Sequence, residues 1–294
     1  MSMIVSHILG GIGNQMFQYA TGRALSQASD QHFSVDLKDF SNYRLHNGYE
    51  LNRVFNVNVE YADEQVVKDM LKWRSNNLAM KVLRRSQFEC LRGDAFVVEP
   101  FFNYWAGLKK RTGDSYLFGY WQSELYFKLF ENIIRQDFSF RHPLKGENST
   151  LAEAIKNTQS ISIHVRRGDY INDAKSGAVM EVCSLDYYRK AINYIAERVN
   201  SPVFYIFSDD IKWVKQALEI KFPCTFVGHN IGQESYRDMQ LMSLCQHNIM
   251  ANSSFSWWGA WLNSNEDKLI VAPKNWFRNG TDDKDLIPEK WGRL

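Results

Sequence analysis

Cysteine is scarce in this 294-residue chain and never clustered. Its four cysteines, Cys90, Cys183, Cys224 and Cys245, lie far apart, with no Cys-x-x-Cys and no Cys/His group at zinc spacing. That excludes a disulfide framework and points to a reducing compartment. An excess of charge of one sign is also missing: 35 basic residues stand against 33 acidic ones, for a net charge of +2. A nucleic-acid binder working by bulk charge is thereby excluded. The N-terminus lacks a basic opening, and Ser6 and His7 break its apolar stretch, so it is a poor signal peptide. Without such a peptide the glycosylation sequons at Asn148, Asn252 and Asn279 carry little weight. No internal repeat is present, and no Ser-His-Asp or metal-ligand set is legible.

One further absence is local. Between Met239 and Asn265 there is no Asp, Glu, Lys or Arg. The run is long enough to cross a bilayer. It also holds Gln240, Gln246, His247, Asn248, Asn252, Ser253, Ser254 and Ser256, whose polar groups would be costly in hydrocarbon. It reads instead as protein interior that handles a polar ligand.

What is present is the composition of a soluble globular protein, 45% hydrophobic and 23% charged. At roughly 150 residues per domain the length accommodates about two. Ser2–Leu9 reads as a strand running into the glycine turn Gly10-Gly11-Ile12-Gly13, and Asn14–Ala28 as a helix. His32–Leu37 is a candidate second strand. The stretch to Phe140 is irregular, mixing basic helical pieces over Glu64–Arg85 with aromatic runs at Phe101–Trp105 and Tyr116–Trp121. Arg141–Thr150 is a candidate linker, placing domains at 1–148 and 149–294. Beyond it, strands at Ile161–Val165, Val203–Phe207, Cys224–Val227, Asn248–Ala251 and Leu269–Ala272 alternate with helices at Leu185–Val199, Ile211–Ile220, Tyr236–Cys245 and Ser254–Leu262. Such alternation predicts a parallel, doubly wound α/β sheet.

In that architecture ligands sit beyond the carboxyl ends of strands. Three strand ends carry polar clusters. His164-Val165-Arg166-Arg167-Gly168-Asp169-Tyr170 places two permanent cations at a turn, which suits phosphate; the alternative is a solvated pair bridged to Asp169. The embedded Arg-Gly-Asp is discounted as an adhesion signal, because it caps a strand. Ser208-Asp209-Asp210 reads either as a helix N-cap or as carboxylates for a nucleoside donor or metal. Ala251-Asn252-Ser253-Ser254-Phe255 opens a helix whose free N–H groups suit a phosphate; simple capping is again the alternative. Trp257, Trp258 and Trp261 read as core. The Gly10–Gln15 turn is a weak dinucleotide fingerprint, since Met16 stands where the third glycine belongs. Its amides, Asn14 and Gln15, suit a hydroxyl-rich ligand. Asp283-Lys284-Asp285 reads as a solvated tail.

At these motifs the chain resembles the bacterial α-1,2-fucosyltransferases of glycosyltransferase family 11. The resemblance runs nearly end to end. It rests on GGIGNQMFQYA (Gly10–Ala20), FGYWQ (Phe118–Gln122), HVRRGDY (His164–Tyr170), FSDD (Phe207–Asp210) and ANSSFSWWGAWL (Ala251–Leu262). It implies a GT-B-like fold, two Rossmann-type domains facing a cleft, with no cofactor and no essential metal. The donor would be GDP-β-L-fucose, transferred with inversion to the 2-hydroxyl of a terminal galactoside. The setting would be O-antigen or other surface-glycan synthesis, in the cytoplasm or peripherally at the inner membrane. Arg166 would hold the β-phosphate beside Arg167. His164 would contact the nucleotide, and Asn252, Ser253, Ser254 and Phe255 would form the phosphate edge. Asp238 would read guanine, with Asp209 and Asp210 near the nucleoside. Asp169 is the first candidate base, with Asp173 and Glu181 as alternatives, and Asn14 would orient the acceptor. Phe101, Phe102, Tyr104, Trp105, Tyr120 and Trp121 offer flat faces for sugar rings. Three rival classes remain: an NAD(P)-dependent oxidoreductase, a non-catalytic glycan-binding protein and a metal-dependent transferase with an Asp-x-Asp pair.

Overall fold

The computed structural model describes residues 2–42, 47–168 and 182–294. The chain divides into two units. The first comprises Met1–Arg141 with Lys284–Leu286, and the second His142–Asp283 with Ile287–Leu294. The linker expected over Arg141–Thr150 is partly helical, because a helix already begins at Glu147.

The first unit is built on β1 (Met3–His7), β2 (His32–Asp36), β3 (Glu60–Tyr61), β4 (Phe96–Val98) and β5 (Ser115–Phe118). Their order is β3-β2-β1-β5-β4, all parallel. Helix α1 (Ile12–Ser29) follows β1 through the turn at Gly10, whose φ of 81° is the left-handed region that glycine tolerates. It packs closely on β1 and β2: a Cβ at Gly22 would collide with Ser6 Oγ and the Phe33 ring. Side chains alternate across a strand. Ser6 therefore meets α1, its hydroxyl donating to Gln18 O, while Val5 joins a cluster on the other face. That cluster is Val67 and Leu71 of α3 (Glu64–Leu71), Met80 and Leu83 of α4 (Asn77–Leu83), with Phe96, Val98 and Tyr116. The short helices α2 (Leu51–Val54) and α5 (Glu131–Asp137) complete the unit.

The second unit holds α6 (Glu147–Lys156), β6 (Gln159–Val165), α7 (Leu185–Ala196), β7 (Pro202–Ser208), α8 (Ile211–Ala217) and β8 (Cys224–Val227). It continues through α9 (Tyr236–Leu244), β9 (His247–Ile249), α10 (Ser254–Leu262), β10 (Ile270–Ala272) and β11 (Gly292–Arg293). The parallel order is β11-β10-β9-β6-β7-β8. On one face α7 buries Tyr187, Tyr188, Ala191, Ile192 and Ile195 against Ile161, Ile163 and Ile206. Ser184 caps this helix by accepting from Tyr187 N–H at 3.1 Å.

The charge-free run Met239–Asn265 spans most of α9, then β9 and α10, and its buried polar side chains are hydrogen-bonded within the protein. Asn248 is buried, donating to Ser162 Oγ at 2.7 Å and to Met242 O at 2.9 Å, and accepting from Asn263 at 2.8 Å. Among the described residues no helix is long and apolar enough to cross a membrane. Asp283 and Asp285 are not a solvated tail. Asp283 accepts from Trp276 N–H at 3.0 Å and from Arg293 at 2.8 Å, and Asp285 from Tyr104 N–H at 3.1 Å.

Candidate functional site

In a doubly wound sheet the crevice for a ligand opens where the strand order reverses. In the second unit that point lies between β6 and β9. The chain leaves β6 through His164–Gly168 and leaves β9 through Met250–Ser253. Two of the three expected clusters therefore flank one switch point. Rings from the two exits meet directly, His164 and Phe255 lying 5.6 Å apart between centroids.

The basic loop is held from β7. Asp209 pairs with Arg166 Nε at 3.3 Å, and its two oxygens accept the backbone N–H groups of Arg167 and Gly168, each at 3.0 Å. Asp209 thus fixes this turn rather than standing clear of it to meet a nucleoside. Arg167 lies over the Trp213 ring, 4.1 Å from its centroid, and Asp210 caps α8 by accepting from Trp213 N–H at 3.2 Å. The capping alternative therefore describes Asp210. His164 is buried, and its Nδ1 has no hydrogen-bond partner among the described residues. Burial, with the Arg166 charge second, lowers its pKa to about 3. The imidazole is neutral and retains one unsatisfied polar atom, of the kind a ligand completes. Asp169, Asp173 and Glu181 lie outside the described residues.

The second exit is a capped helix start. Ser253 Oγ accepts from Phe255 N–H at 3.3 Å, while Ser256 Oγ donates to Ala251 O at 3.1 Å. Asn252 faces inward: it donates to Trp276 O at 3.0 Å and accepts from Cys183 Sγ at 3.3 Å. It pins the turn, and Ser253, Ser254 and Phe255 form its outer edge. The first N–H groups of α10 concentrate partial positive charge there.

Asp238 sits in the first turn of α9, which starts at the same carboxyl edge of the sheet. Asn230 donates to one of its oxygens at 2.7 Å, and the other has no partner among the described residues. Asn230 is itself locked to Asn148 through a reciprocal pair of side-chain hydrogen bonds, Asn148 donating to Asn230 Oδ1 at 2.7 Å and Asn230 donating to Asn148 Oδ1 at 3.0 Å. Burial raises the Asp238 pKa to about 7, against the lowering effect of Asn230.

The first unit reverses its strand order between β1 and β5. There Gln122 donates to Asn14 Oδ1 at 2.7 Å, joining the glycine turn to the β5 exit. Gln15 does not face this crevice. It is buried, donating to Gly10 O and Gly48 O and accepting from Glu50 N–H. Glu99, at the end of β4, accepts from Tyr120 N–H at 2.7 Å and Trp121 N–H at 2.9 Å, and burial raises its pKa to about 7. Trp121, with φ of 55°, turns inward and is only 1% exposed, so it offers no face to a sugar. Tyr120 and Phe101 are exposed, and Trp105 is half-buried. Gln122 and Glu99 were not anticipated individually. The strand-end rule applied to Phe118–Gln122 would have found the first, but the pairing partner of Glu99 has no local signal.

A family model described as Glycosyl transferase family 11 matches residues 3–291. The chain is 35% identical to an Escherichia coli alpha-1,2-colitosyltransferase, over 100% of this chain and 99% of that one. It is 32% identical to the Escherichia coli O-antigen biosynthesis glycosyltransferase WbnK, over 98% and 99%. A galactoside alpha-(1,2)-fucosyltransferase 1 from Saimiri boliviensis boliviensis is 25% identical over 86% of this chain and 63% of its own length. The fold matches the crystal structure of NodZ alpha-1,6-fucosyltransferase soaked with GDP-fucose, with a TM-score of 0.55 at 14% identity, covering 89% and 92% of the two chains.

Proposed function

The chain belongs to glycosyl transferase family 11, and on that footing we propose that it moves L-fucose from GDP-β-L-fucose to the 2-hydroxyl of a terminal galactoside. The observation that carries this reading is the meeting of the Arg166 loop and the Ser253 helix start at one switch point, His164 ring against Phe255 ring. In this reading the β-phosphate lies between Arg166 and the α10 N-terminus. The galactose O2 attacks C1 of fucose as the bond from C1 to the β-phosphate oxygen breaks, and GDP leaves with the electron pair. Negative charge grows where fixed positive charge already stands, a preorganised arrangement requiring no solvent rearrangement. Attack from the face opposite the phosphate inverts the anomeric carbon. Asp169 takes the hydroxyl proton. No metal is required, since Arg166 and the helix start meet the leaving charge.

Asp238 reads the base. Guanine presents adjacent N–H donors, which need an ionised carboxylate. With the Asp238 pKa at about 7, GDP affinity is expected to be full above that pH and to fall as pH drops through it. Calorimetric titration of GDP one unit below and one unit above that value checks this. Asp238→Asn should bind weakly and lose the pH dependence.

A second donor is favoured by one observation, the 35% identity to an alpha-1,2-colitosyltransferase over the whole chain. The deciding assay incubates the protein with GDP-fucose, or with a colitose donor on the same nucleotide, and a panel of galactosides, assigning linkage by NMR. An α-1,2-fucosyl product, formed equally in EDTA, is expected. A product from the colitose donor alone would establish the second reading, and no product from either would overturn both.

A further inference from the structure

We propose that Lys38 and Arg84 form an oxyanion-binding subsite in the first unit, which takes the carboxylate or phosphate group of an acidic acceptor glycan. The binding of an oxyanion rests on this geometry alone. Its assignment to the acceptor rests on the reading above, in which the donor occupies the second unit.

His7, Asp36 and Phe118 are the last residues of β1, β2 and β5, so they stand together at the carboxyl edge of the first sheet, where such sheets hold ligands. Alternation along β1 sends His7 to the same face as Val5, the face covered by α4. His7 lies against the Phe118 ring, 4.8 Å apart between centroids. Arg84, which ends α4, lays its guanidinium over the same phenylalanine, 3.8 Å from the ring centroid. Lys38 opens the turn after β2, and its Nζ lies 2.7 Å from Met80 Sδ. Met80 is four residues before Arg84 and so on the same side of α4. Contacts with Met80 and Phe118 thus bring the two cations to one strand-end recess.

The donors of both cations are unspent. Among the described residues the Arg84 side chain makes no hydrogen bond and no ion pair, and its Nε is buried without a partner. Lys38 Nζ has only a thioether, which is a weak acceptor. The neighbouring acids are engaged elsewhere. Asp36 accepts from the Lys38 N–H at 2.9 Å and from the Tyr116 hydroxyl, and Asp39 is hydrogen-bonded to His7 at 2.9 Å. Burial lowers the pKa of both cations, opposed by Asp36 and Asp39 at Lys38 and by Asp39 at Arg84. The acids therefore balance the charge without filling the donors. Half-buried donors left empty are costly. An oxyanion satisfies them together, since a planar guanidinium and an ammonium can share one carboxylate or phosphate.

The test titrates the full chain, carrying isotope-labelled arginine, with methyl β-D-glucuronide, with inorganic phosphate and with neutral methyl β-D-glucoside. NMR follows the Arg84 Nε–H resonance, identified by its loss in Arg84→Gln. A saturable shift is expected with the glucuronide, with phosphate or with both, and none with the glucoside; the two anions distinguish carboxylate from phosphate. The shift should persist in Arg166→Ala, which separates this site from the donor phosphate. Lys38→Gln should weaken binding about tenfold or more, the loss of one charge-assisted hydrogen bond. This arm uses no donor, so it succeeds or fails independently of the reading above. Transfer from GDP-fucose then compares lactose with its counterpart carrying the bound anion on glucose. The ratio of kcat/KM, acidic over neutral, should fall about tenfold in Arg84→Gln and in Lys38→Gln. Thermal melting checks that both variants fold, as the empty donors of the two side chains lead us to expect. No saturable shift with either anion, an equal shift with the glucoside, loss of the shift in Arg166→Ala, or an unchanged acceptor ratio in both variants would overturn the proposal.

Discussion

Arg166→Ala is expected to lower kcat about 10²–10³-fold, the cost typical of removing one preorganised group that meets transition-state charge. The acceptor KM should be nearly unchanged. The variant should fold, because Arg166 is a surface-edge side chain whose loop is still held by Asp209 through the Arg167 and Gly168 N–H groups. Arg166→Lys is expected to fail almost as badly. The arginine holds Asp209 with Nε and has two further nitrogens in a planar guanidinium, whereas lysine has one nitrogen for both tasks. Steady-state rates with GDP-fucose measure this. A near-normal kcat in Arg166→Ala would remove the residue from the phosphate site.

Trp258→Ala is expected to destabilise the second unit by about 3–5 kcal/mol, the usual range for emptying a large aromatic site. Trp258 is fully buried, with its ring 4.9 Å from Trp257 and 5.1 Å from Trp261. At roughly 2–4 °C per kcal/mol for a chain of this size, melting should fall by about 6–20 °C. GDP affinity should fall with it, because α10 carries both the tryptophan core and the Ser253 edge. Trp258→Phe should recover part of both. Thermal melting with and without GDP distinguishes this from a direct contact. An unchanged melting temperature in Trp258→Ala would contradict the assignment of this helix to the core.

The second unit was legible because its strands are apolar runs separated by helices of regular spacing, and each ends in a polar turn. The first unit was less so. Strands β3 and β4 are two or three residues long, too short to set a period, and β5 is embedded in an aromatic run. His164, Arg166 and Ser253 could be found because a strand end is a local property. The work of Asp209 could not, since its partners lie 41 and 42 residues away. Asn14 was read from its turn, but the amide that meets it, Gln122, is 108 residues away. Trp121 misled because an aromatic side chain looks the same in sequence whether it faces solvent or, through a left-handed backbone, the core.

The central claim is that the donor nucleotide lies at the β6/β9 switch point. A crystal structure of the chain with GDP tests it most directly. The account predicts the β-phosphate against Arg166 and the N–H groups opening α10, with guanine on Asp238. A nucleotide seated instead on the Gly10–Asn14 turn of the first unit, with Arg166 untouched, would contradict it.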